Sequence, residues 1–69
     1  MTREQHKKLV KYEGIFRTAI DAMYYRAMTS AFAKDLLDVA KELNVYINPS
    51  CGQCMLRAIQ TLGRLYFAY

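Results

Sequence analysis

Ser50-Cys51-Gly52-Gln53-Cys54-Met55-Leu56-Arg57-Ala58-Ile59-Gln60-Thr61-Leu62-Gly63-Arg64-Leu65-Tyr66-Phe67-Ala68-Tyr69 is the stretch that decides the fold. Cys51, Met55, Ala58, Leu62, Leu65 and Tyr69 alternate steps of four and three, the spacing of an apolar stripe along one side of a helix. Gln53, Arg57, Gln60, Thr61 and Arg64 form a second, polar face that carries no acid. Ser50 with Gln53 has the spacing of a capping box, so a helix is expected over 50–68 with both cysteines in its first turn.

Upstream, Asn44 to Ser50 reads as a connector. Asn44 suits a helix C-terminus, and Pro49 pushes Asn48 towards extended backbone and stops helix propagation. Val45-Tyr46-Ile47 is too short to make a sheet without a second strand, and is expected to lie as an extended cover over the core. Before it, Phe32, Leu36, Val39, Ala40 and Leu43 oppose Lys34, Asp35, Asp38, Lys41 and Glu42, which predicts a helix over 31–43 with Thr29-Ser30 at its start. Leu9, Tyr12, Phe16, Ala19, Ile20, Met23, Tyr24 and Ala27 predict a first helix over 2–28, capped by Thr2 with Gln5. Gly14 marks a bend, a close helix contact or a boundary within it. A single helix from Ile15 to Leu43 would carry a spiralling apolar row needing a wrapped partner; two helices bury their stripes within one chain and are the expectation here.

The expected fold class is therefore all-α: a three-helix bundle, or a helical hairpin plus a C-terminal helix, forming a single domain over residues 1–69. A chain of 69 residues builds only a small core, and its two cysteines, three apart, cannot tie distant elements together. Its 54% hydrophobic content, with six tyrosines and four methionines, leaves apolar surface for another chain. An oligomer or a complex with another protein is expected, through Tyr24, Tyr25, Met28, Tyr66, Phe67 and Tyr69.

The cysteine pair has three readings. At a helix N-terminus a thiolate is stabilised, which suits redox exchange, although no βαβ framework accompanies the motif. Cys51 and Cys54 also supply half of a zinc site, whose other half must come from a second chain, since His6 is the one further soft ligand here. The third and favoured reading makes both cysteines small residues packed where the helix meets the connector. Hydrolytic catalysis finds little support, because His6 and the cysteines sit at opposite ends of the sequence and only a bundle could bring them together, and no glycine-rich phosphate loop occurs. No catalytic residue is assigned.

The formal charge of +4 raises nucleic-acid binding as the alternative to protein contacts. Arg3, Lys7 and Lys11 fall four apart, Lys8 lies alongside, and Arg57 and Arg64 stand on the last helix. A helix-turn-helix is a poor fit, because the connector is longer than three or four residues and contains proline. Uncharged stretches fall short of the roughly 18 apolar residues a membrane span needs, so no membrane partner is expected. The absence of an apolar leader and of paired cysteines elsewhere points to a reducing, cytoplasmic setting.

The segment Asn48-Pro49-Ser50-Cys51-Gly52-Gln53-Cys54, running into a terminal amphipathic helix, resembles the ends of some small uncharacterised phage and prophage proteins. The likeness covers the last third of the chain. It implies a viral origin, a place in host cytoplasm or virion, and a role in assembly, packaging or host inhibition exercised through contacts.

Overall fold

The computed structural model describes residues 1–25, 33–48 and 50–69. Among them four α-helices occur, α1 (Arg3–Leu9), α2 (Glu13–Ala22), α3 (Lys34–Glu42) and α4 (Gly52–Phe67), and a 3₁₀ turn at Val10–Tyr12 joins α1 to α2. The chain is all-α, as the apolar periodicity requires. The expected sites at Met28, Thr29-Ser30, Phe32 and Pro49 lie outside the described residues.

The first helix starts where the capping box places it. The Gln5 amide N–H donates to Thr2 Oγ1 at 3.2 Å, and the Thr2 N–H donates to Gln5 Oε1 at 2.8 Å. These bonds satisfy donors that a helix start otherwise leaves open. The expected single helix over 2–28 is instead broken at Val10–Tyr12 and ends at Ala22. Met23 takes a left-handed conformation, φ 53° and ψ 40°, which stops propagation. Tertiary structure supports this early end: the Gln60 side-chain amide donates to the Ala19 carbonyl at 2.8 Å, satisfying an acceptor in the last turn of α2. Gly14 sits just past the 3₁₀ break with open space around its Cα, which favours the boundary reading over the close contact.

At the C-terminus of α3 the reading of Asn44 holds. Its φ is 58°, its N–H donates to the Lys41 carbonyl at 3.2 Å, and the Val45 N–H donates to the Ala40 carbonyl at 2.8 Å. Together these make a Schellman motif. Val45 and Ile47 then turn towards the core while Tyr46 points out, 80% exposed, so the connector does cover the core by alternation.

The helices pair antiparallel. Gln5 near the start of α1 donates to Glu42 at the end of α3 (3.0 Å), and Lys11 bridges Asp35 at the start of α3 (2.9 Å). Similarly, Tyr66 near the end of α4 meets Glu13 at the start of α2 (3.0 Å), while Gln60 meets Ala19. Leu9, Tyr12, Phe16, Leu36, Val39, Ile59 and Leu62 are fully enclosed between these pairs.

The α4 stripe is rotated from its expected position. Ala58 and Leu62 are buried as expected, but Ile59, Gly63 and Tyr66 join them, and Leu65 and Tyr69 face solvent. The heptad spacing assumes 3.5 residues per turn, whereas a straight helix has about 3.6 and drifts by some 20° per heptad. The close approach of α2 selects the rotation, because a Cβ on Gly63 would lie 2.8 Å from Phe16 Cβ and 3.1 Å from Ile20 Cδ1. Gln60, expected on the outer polar face, is consequently turned inward.

Candidate functional site

The N-terminus of α4 carries the chemistry. Its cap is Cys51 and not the expected Ser50, one residue later than the capping-box spacing suggests. Asn48 explains the shift: its side chain accepts the Ser50 N–H at 3.0 Å and its carbonyl accepts the Cys51 N–H at 3.1 Å, so a turn occupies Ser50. Cys51 is then extended, φ −124° and ψ 109°, and its Sγ accepts the Cys54 backbone N–H at 3.2 Å.

Cys51 and Cys54 form a disulfide, with their Cα atoms 5.2 Å apart. This corrects the expectation of two small buried thiols; both residues are only partly buried. An inter-chain zinc site at Cys51 and Cys54 would require the reduced chain, because ligation needs thiolates. His6 lies at the other end of α4, stacked on Tyr66 with ring centroids 4.2 Å apart and on Tyr69 at 4.5 Å. Among the described residues no group of three or more His, Cys, Asp or Glu converges.

Beside the disulfide runs an open groove of about 580 Å³, lined by Met23, Tyr24, Tyr25, Gly52, Gln53 and Leu56. The early end of α2 creates it. Left-handed Met23 lifts Met23 and Tyr24 off the core stripe to which their spacing had assigned them, leaving them 71% and 61% exposed. A second groove of about 420 Å³ follows the connector, between Leu37 and Ala40 on α3 and Val45, Tyr46 and Ile47.

The five expected interface residues that the structure describes do not form one surface. Tyr24 and Tyr25 flank the start of α4, whereas Phe67 and Tyr69 belong to its far end, about 24 Å away at 1.5 Å per residue. Tyr66 is corrected outright, because it is 4% exposed and belongs to the core. Its ring packs on Phe16 (centroids 5.5 Å), and its hydroxyl donates to Glu13. Burial, followed by the bond to Glu13 and that residue's charge, pushes the Tyr66 hydroxyl above the usual tyrosine range. Phe67 and Tyr69 keep exposed surface, and Phe67 also receives the Arg17 guanidinium over its ring at 5.2 Å.

Arg3, Lys7, Lys8 and Lys11 are exposed on the first helical segment, as are Arg57 and Arg64 on α4. An acid interrupts the first group. The bond from Lys11, together with the charges of Lys11, Lys8 and Lys34, holds the Asp35 carboxyl below its ordinary range. Any phosphate approaching there competes with that carboxylate. No protein-family model matches the chain, and no curated protein or solved structure matches it significantly.

Proposed function

We propose that the chain is a protein-interaction module whose contact surface is the groove between the end of α2 and the start of α4. The observation that carries this reading is the exposure of Met23 and Tyr24 along a concave apolar wall completed by Tyr25 and Leu56. Such a patch on a small domain is worth covering, and aromatic and methionine side chains are the types that anchor interfaces. The partner is a second copy of the chain or an apolar segment of another protein. A viral assembly or host-inhibiting role, the implication of the phage-type resemblance, would be exercised through the same surface.

Sedimentation of the wild type and of Tyr24→Ser, each checked for helical content by circular dichroism, tests the reading. A dimer that Tyr24→Ser dissociates supports self-association. A monomer that binds leucine-rich peptides, with affinity lost in the variant, supports a foreign partner. A monomer that binds no such peptide sinks the proposal.

A further inference from the structure

We propose that the Cys51–Cys54 disulfide is an exchange-active couple that oxidises dithiols of polypeptides lying in the adjacent groove. The choice of substrate rests on the interaction reading given above; the reactivity of the disulfide stands on its own geometry.

The bond is a poor structural staple. It spans three residue steps within one helical turn and joins no two elements of the fold. Stabilisation by loop closure grows with loop length, so so short a bridge contributes near the bottom of the usual range. Its position instead favours the reduced form. Cys51 occupies the N-cap, its Sγ already receives the Cys54 N–H at 3.2 Å, and no acid lies in the first turn of α4. On reduction, that donor and the positive end of the helix stabilise a Cys51 thiolate. A disulfide whose reduced form is stabilised is the more oxidising one. Both cysteines keep solvent access, and Gly52 and Gln53, the two residues between them, also form one edge of the groove. A segment seated against Tyr24 and Leu56 reaches the start of α4 at Gly52 and Gln53, the two residues that the disulfide encloses.

The exchange balances with a substrate dithiol as reductant. One substrate thiolate attacks Cys51 Sγ; a new S–S bond forms, the Cys51–Cys54 bond breaks, and Cys54 leaves as thiolate and takes up a proton. The second substrate thiolate then attacks the substrate sulfur of this mixed disulfide. Cys51 departs as the stabilised thiolate, and two electrons have passed from the substrate dithiol to the protein. Cys51 is the better final leaving group because it holds the cap hydrogen bond.

The test uses the full chain and two short reduced peptides, each with two cysteines, one flanked by leucine and valine and the other by serine. Wild-type protein is expected to oxidise the leucine-flanked peptide about tenfold faster, the worth of one buried aliphatic side chain. Cys54→Ser, whose Cys51 is a free thiol, should attack the oxidised form of the leucine-flanked peptide, breaking its S–S bond and releasing one peptide thiolate; the mixed disulfide, alkylated on quenching, is seen as a mass increase, and Cys51→Ser forms far less. Circular dichroism confirms that each variant is folded. If alkylation shows the wild-type disulfide unreduced in excess glutathione while the chain remains folded, the redox proposal is overturned. Equal rates for the two peptides overturn its substrate half, while the docking reading still stands or falls on the sedimentation of Tyr24→Ser. Binding of a serine-for-cysteine peptide without exchange of the reduced one leaves docking intact and sinks the redox chemistry alone.

Discussion

Two glycines with the same intrinsic helix cost have opposite expected behaviour. Gly63 lies where α4 meets α2, and an added methyl would press on the Phe16 Cβ, which cannot swing away as a side-chain tip can. Gly63→Ala is expected to lower stability by about 1–3 kcal/mol, read as a lower urea midpoint with an unchanged slope. Gly14 has nothing within 4 Å of such a methyl and sits in α2, so Gly14→Ala should raise stability by about 0.4–1 kcal/mol, read as a higher midpoint. Met23 shows a different kind of cost. Its φ of 53° is a conformation that side chains disfavour by about 1–2 kcal/mol, so Met23→Gly should stabilise the fold if the α2 end is as described. A destabilised Met23→Gly protein would show that the side chain makes compensating contacts.

Each helix pair is fastened at one end by a titratable contact, and pH tests each of them. Asp35 has its carboxyl held below its ordinary value of 3.8 by Lys11, so the contact contributes above that pH and is lost as pH falls further. Asp35→Asn should therefore flatten the acid limb of stability against pH, and also the alkaline limb, because the same bond holds the Lys11 ammonium above its ordinary value of 10.5 and is lost as pH climbs through the raised one. The effect will be small, because both side chains are substantially exposed. Tyr66 is the reverse of Asp35. With its hydroxyl raised above 10.0, its contribution is full below that value and is lost as pH climbs through the raised one. In an ultraviolet titration Tyr66 should ionise later than the exposed tyrosines, and Tyr66→Phe should remove one late-ionising group. Helix α4 itself was legible as a helix because its apolar positions recur every three to four residues. Its rotation was not, since a stripe of Met55, Ala58, Leu62 and Leu65 and one of Ile59, Leu62, Gly63 and Tyr66 overlap in sequence. The glycine inside an otherwise strong helix was the available signal for the second.

At the scale of the molecule, the radius of gyration is 10.7 Å, close to the roughly 11 Å expected for a compact domain of this length. Among the described residues no buried side-chain nitrogen or oxygen lacks a hydrogen bond. Nor does the disulfide carry the fold: Cys51→Ala with Cys54→Ala should keep the helical circular dichroism and lose about 2 kcal/mol or less, read from thermal unfolding. Loss of helical structure would reassign the bond as a staple. Periodicity and caps were enough to establish an all-α chain, the start of α1 at Thr2, the end of α3 at Asn44 and the covering role of Val45-Tyr46-Ile47, because helix formation and capping depend on neighbours within four residues. Where α2 ends, which side of α4 is buried and which aromatics stay exposed were set by contacts between distant residues: Gln60 on the Ala19 carbonyl, Phe16 against Gly63, and Tyr66 on Glu13. Local spacing cannot encode those pairings, since each joins residues more than forty positions apart whose meeting depends on how α2 and α4 pack.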